Sequence, residues 1–171
     1  RRKKGDKSKN GGVATMVVMY TLMREGGQLL GPLNRRFYAS FAPKRYAFEV
    51  ARREANKRGF TAASGKLIQI VTDGDDDFAA YKKKYFPEAL HTLDIMHALE
   101  YVWEAGGCLY PEGSDELKAW METQKEHLYH GRVETLLNEL KRRLLAIPMT
   151  GPGNKGKRER LTTAMEYLSK R

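Results

Sequence analysis

Two short apolar runs rich in β-branched residues lie about twenty residues apart, and each is followed at once by a stretch with helical spacing. The first covers residues 66–72 (KLIQIVT) and the second residues 89–95 (ALHTLDI). Each is too short for a stable helix and is bounded by turn-forming residues, so both read as strands. Residues 75–85 and 96–107 supply the helices. The order strand, helix, strand, helix implies a crossover between parallel strands and sets the carboxyl ends of the two strands side by side. Asp73 and Asp94 are therefore expected near one edge of a sheet.

The rest of the chain is arranged around that unit. Residues 13–22 are β-branched and apolar, with Glu25-Gly26-Gly27 behind them as a turn; this is a strand with a hairpin exit. Residues 28–33 and 36–41 return as one or two strands, broken at Gly31-Pro32. Pro43 opens a helix whose apolar side carries Tyr46, Val50, Ala51 and Ala55, and Gly59 ends it. From Ser114 the chain reads as helical, with Leu117, Trp120, Met121 and Leu128 on one stripe and Val133, Leu136, Leu137, Leu140 and Leu144 on the next, separated at Gly131. Residues 148–160 read as a basic, glycine-rich loop. The expected class is α/β. Its parts are a basic tail over 1–12, a mixed-sheet core with a hairpin and parallel crossover strands over 13–108, and a helical region over 109–171.

Charge is segregated along the chain. Residues 1–60 carry 15 basic and 4 acidic side chains, residues 61–130 carry 6 and 13, and residues 131–171 carry 10 and 4, so an acidic centre lies between two basic flanks. That distribution suits a polyanion held beside carboxylates, with double-stranded DNA the expected partner. Solvation of helix faces explains the same charges without a partner. The absence of an 18-residue apolar run or a secretory leader points away from a membrane and toward the cytoplasm. A single cysteine, Cys108, excludes an internal disulfide and a cysteine-based zinc site.

Asp73 is the leading candidate for chemistry, because it ends an apolar strand where open α/β sheets present ligand-binding groups, and Gly74 lets the backbone turn away from it. A carboxylate there binds a divalent cation through hard oxygen, or caps the helix that follows. Asp75, Asp76 and Asp77 are explained by the dipole of that helix. Asp94 and His97, with Glu100 nearby, form a second constellation suited to holding a phosphate, a water or a metal. The alternative is that Asp94 is a helix cap and His97 a hydrogen-bonded junction residue. His127 and His130 lack the further ligands of a zinc site. Residues 151–157 share only composition with a phosphate-binding loop.

Three blocks in order, Val71-Thr72-Asp73-Gly74-Asp75, Tyr85-Phe86-Pro87-Glu88-Ala89 and Leu93-Asp94-Ile95-Met96-His97-Ala98-Leu99-Glu100-Tyr101, resemble bacterial insertion-sequence transposases with a ribonuclease H-like catalytic domain, related to Mutator-like elements. The resemblance covers roughly residues 65–107. It implies a partial ribonuclease H-like fold and a phosphoryl-transfer enzyme in which three acids hold Mg²⁺ or Mn²⁺ for strand cleavage and joining at element ends. Asp73 matches the second of those acids and a metal ligand; Asp94 and His97 match an accessory pair, with Glu100 beside them. Residues 109–171 correspond to the helical insertion of that family.

The first acid belongs on a strand before the hairpin and the third beyond the insertion, and neither has a counterpart here. One acid cannot hold two metals, so this polypeptide is expected to be inactive alone. An opening Arg in place of Met, and an apolar pattern over residues 161–168 without a terminator, fit a central segment of a longer protein. The resemblance further implies DNA phosphates on Arg1, Arg2, Lys3, Lys4, Arg52, Arg53, Arg142, Arg143, Lys155, Lys157 and Arg158, and a homo-oligomer in the complete protein. Two other readings fit the same residues: a non-catalytic nucleic-acid-binding domain on that fold, and a structural or protein-interaction module.

Overall fold

The computed structural model describes residues 13–169. They form a mixed α/β fold that divides into two compact units. The first holds an antiparallel hairpin, β1 (Thr15–Glu25) and β2 (Gln28–Ser40), with the helices α1 (Arg45–Lys57) and α2 (Asp76–Tyr85). Gly26 and Gly27, both at positive φ, make the hairpin turn. The returning material is one strand, not two. The disturbance expected at Gly31-Pro32 is absorbed by register shifts between Met19 and Thr21 and between Thr21 and Met23, so the extra residues bulge without ending the ladder. Along β1, half-buried Thr15, Val17, Met19 and Thr21 alternate with exposed Met16, Val18, Tyr20 and Leu22. Phe48 of α1 is buried against the rings of Phe78, Tyr81 and Tyr85 of α2. Arg52 pairs with Glu88 and lies over the Phe86 ring.

The strands β3 (Gln69–Thr72) and β4 (Leu90–Leu93) are shorter than the apolar runs that announce them. Leu90 N–H donates to Ile68 O and Asp94 N–H donates to Thr72 O, at 2.9 and 2.7 Å. The offset is the same at both ends, which makes the pair parallel. Among the described residues the hairpin and this pair are two separate two-stranded sheets, whereas a single mixed sheet was expected.

The second unit is built from α3 (Ile95–Gly106), α4 (Asp115–Tyr129), α5 (Val133–Ala146) and α6 (Asn154–Leu168), together with residues 70–75 and 91–94. Its core gathers Val102, Ala105, Leu117, Leu136, Leu140, Leu161 and Ala164, all at most 1% exposed, with Cys108 buried beside them. Gly106 has no room for a side chain: a Cβ would stand 2.8 Å from both Leu117 and Trp120. Ser114 caps α4 by accepting from Leu117 N–H. The basic loop expected over 148–160 ends earlier, since α6 begins at Asn154. Gly151 and Gly153 at positive φ make the turn, and the Lys, Arg and Glu residues that follow are good helix formers that carry Gly156 along. No helix among the described residues is long and apolar enough to cross a membrane.

Candidate functional site: the carboxylate edge at Asp73

The hydrogen bond from Asp94 N–H to Thr72 O brings the carboxyl ends of β3 and β4 together, and with them Asp73 and Asp94. Asp73 is exposed. Its Oδ1 accepts from Asp75 N–H at 3.1 Å, closing a tight Asx turn and leaving Oδ2 to solvent. Gly74 then runs at φ +89°. Asp94 has both roles that its position suggests: Oδ1 accepts from Met96 N–H at 3.0 Å and caps α3, while Oδ2 lies 3.1 Å from His97 Nδ1. That contact fixes the imidazole orientation at a half-exposed site. Across the strand pair, Thr72 Oγ1 and His91 Nε2 are 2.9 Å apart. Glu100 is exposed one turn along α3 from His97.

One residue of this site carries no signal in the sequence. Tyr167, near the end of α6, donates from its hydroxyl to Asp73 O at 2.5 Å, and its ring stacks on Tyr101 with centroids 3.9 Å apart. Burial pushes the Tyr167 hydroxyl up to about 12, helped by Tyr101 and by the negative charge of Asp73, Asp94 and Glu100. A pairing across 94 residues is invisible to local pattern.

The described residues do not by themselves fit a divalent ion. A hard cation needs six or more oxygens, several of them charged. Asp94 is occupied by its cap and by His97, and among the described residues no group of three His, Cys, Asp or Glu side chains is placed to hold a metal. Asp73 supplies a ligand of the right chemistry and no more.

The proposed phosphate contacts differ in what they already hold. Arg142 and Arg143 both bind Glu139, Arg143 also reaches Tyr110 Oη, and Arg158 donates to the carbonyls of Leu144 and Ile147 at the end of α5. Arg52 is held by Glu88. Arg53 and Lys157 are exposed, and Lys155 is exposed with Glu159 Oε1 3.9 Å from its Nζ. Arg1, Arg2, Lys3 and Lys4 lie outside the described residues. No family model matches the chain, and neither a curated protein nor a solved structure does.

Proposed function

We propose that the chain is a segment of a metal-dependent DNA transposase with a ribonuclease H-like core, in which Asp73 supplies one of the acids that hold Mg²⁺ or Mn²⁺. The observation that carries this reading is the exposed Asp73 carboxylate at the carboxyl end of a parallel strand pair, beside the Asp94–His97 couple, in the order of the three sequence blocks. Side chains at that edge are where an open α/β sheet does its chemistry. The remaining metal ligands come from outside the described residues, so no reaction step is assigned to this segment alone. The exposed Arg53, Lys155 and Lys157 suit duplex phosphates.

The test is strand cleavage of the DNA bordering its own coding region, in Mg²⁺ or Mn²⁺, by this segment joined to the coding sequence on either side. Cleavage lost in Asp73→Asn with DNA binding retained is expected. Cleavage untouched by that change refutes the role given to Asp73. The basic flanks also support a non-catalytic nucleic-acid-binding domain, which binds duplex DNA with a steep salt dependence and never cleaves it.

A further inference from the structure

The two faces of the β1–β2 hairpin differ in what covers them. Half-buried Thr15, Val17, Met19 and Thr21 turn toward α1, where Arg58 donates to Thr21 Oγ1 at 3.4 Å and Glu54 Oε1 lies 3.7 Å from Arg36 Nε. Strand alternation puts Met16, Val18, Tyr20, Leu22 and Arg24 on the other side. The ladder adds Ala39 opposite Met16 and Phe37 opposite Val18, and Arg35, two positions before Phe37, shares their side. All of these residues are exposed. Tyr20 and Phe37 are 52% and 69% exposed, and neither ring stacks on another among the described residues.

A bare apolar sheet face marks an interaction surface, and its charges say what covers it. Arg24 and Arg35 are the charged residues of this side, and Arg35 stands with Asn34 opposite Tyr20 at the register shift. Neither arginine has an ion-pair partner among the described residues. Glu25, the one acid in residues 15–40, alternates to the α1 side. Residues 1–12, just before β1 in the sequence, add six basic side chains and one acid. A second copy packed face to face would set arginines against arginines with no carboxylate to meet them, because a two-fold interface meets itself. A DNA duplex hides its base faces and would leave both rings unused. An unpaired strand offers a base face to each ring and phosphates to the arginines. The side holds few hydrogen-bonding groups for a ribose 2′-hydroxyl, so DNA is the strand it suits.

We infer that the outer face of the hairpin is a platform for an unpaired DNA strand, with bases stacked on Tyr20 and Phe37 and phosphates held by Arg24 and Arg35. Phe37 is directly opposite Val18, and Tyr20 is the next residue of β1 on that side, so the two aromatics stand on a diagonal of about 7–8 Å. Each therefore takes a base of its own. The inference concerns binding and not Asp73, so it stands whether or not the transposase reading does.

The experiment measures fluorescence anisotropy of a labelled oligothymidylate of about twelve nucleotides, a length within the range of single-strand sites, against a duplex of the same length and a matching uridylate strand. The thymidylate strand should bind at least about tenfold more tightly than the duplex at equal salt. Tyr20→Leu and Phe37→Leu keep an apolar side chain and remove the ring, and each should weaken the strand by roughly 5- to 100-fold. Arg35→Ala should lower the slope of log K against log salt by about 0.7. Tyr129→Leu, an exposed aromatic of α4, is the control and should change nothing. Equal affinity for strand and duplex, tighter binding of the uridylate, or leucine variants that bind as the unaltered chain does each overturn the inference. So does a dimer, seen by sedimentation, that Phe37→Asp separates, since the face then belongs to a second copy. If a leucine variant does not fold, the strand–duplex comparison and the Arg35→Ala slope decide the question.

Discussion

Replacing Gly74 by Ala tests the joint between Asp73 and α6 directly. A Cβ at this position would stand 2.8 Å from Tyr167 Cε2, 3.0 Å from Leu93 Cδ1 and 3.1 Å from Tyr167 Cζ. The ring cannot retreat cheaply, since one face stacks on Tyr101 and the hydroxyl holds Asp73 O. The alanine also has to adopt φ near +89°. The left-handed backbone costs about 1–2 kcal/mol and the overpacking about 1–3 kcal/mol. With partial relaxation, a total near 3 kcal/mol corresponds to a Tm lowered by roughly 6–12 °C in a protein of this size. Gly131→Ala is the control: φ is +67°, nothing lies within 4 Å of its Cβ, and only the backbone cost applies. Trp103 and Trp120 both lie in the unit that contains Tyr167, so tryptophan fluorescence during heating reports that unit. Gly74→Ala should melt several degrees below Gly131→Ala. Coincident melting curves would show that the Tyr167 ring does not press on Gly74.

Alkaline titration follows the same residue. The Tyr167 hydroxyl titrates above its unfolded value of 10, at about 12 in the folded chain, so its contribution to stability is complete below pH 10 and is lost as the pH rises through 12. Absorbance at 295 nm should show a late-titrating phenol that Tyr167→Phe removes; an unchanged titration curve would contradict the burial. At the acid end, burial alone would push the Glu139 carboxyl up, but the hydrogen bonds from Arg143 and Arg142 outweigh it and hold the carboxyl below the usual carboxylate range. Its stabilisation is present above the unfolded value and falls away as the pH drops through the folded one, so Glu139→Gln should flatten the acid limb of a stability–pH curve. Asp94→Ala removes the cap of α3 and should cost about 1 kcal/mol, read from urea unfolding, where Asp94→Asn costs less because it still accepts from Met96 N–H. In duplex DNA binding, Lys157→Ala should reduce the slope of log K against log salt by about 0.9, whereas Arg158→Ala should leave the slope alone and lower stability. A changed slope in Arg158→Ala would mean that its bonds to Leu144 O and Ile147 O are not kept in solution.

What could be read from the chain beforehand depended on how local its cause was. Asp94 was legible as a cap because an acidic residue between an apolar run and a helical stretch has one local use, and the structure adds His97 to it without removing that use. The neighbouring strand ends at Asp73 and Asp94 were legible too, since a strand–helix–strand order makes the two strands parallel and sets their carboxyl ends side by side. The start of α6 was hidden by Gly156, whose preference for loops is outweighed by the lysines and arginines around it and by the docking of Leu161 and Ala164 into the core. Tyr167 and Gln124 were hidden for a different reason. Tyr167 is buried against a turn 94 positions earlier, and Gln124 belongs to a residue type that is seldom inside. Both are polar groups whose value depends on what faces them across the fold. A polar side chain at an inward helical position therefore marks where reading by period alone runs out: Tyr167 has found a backbone carbonyl, while Gln124 Oε1 is buried with no hydrogen-bond partner.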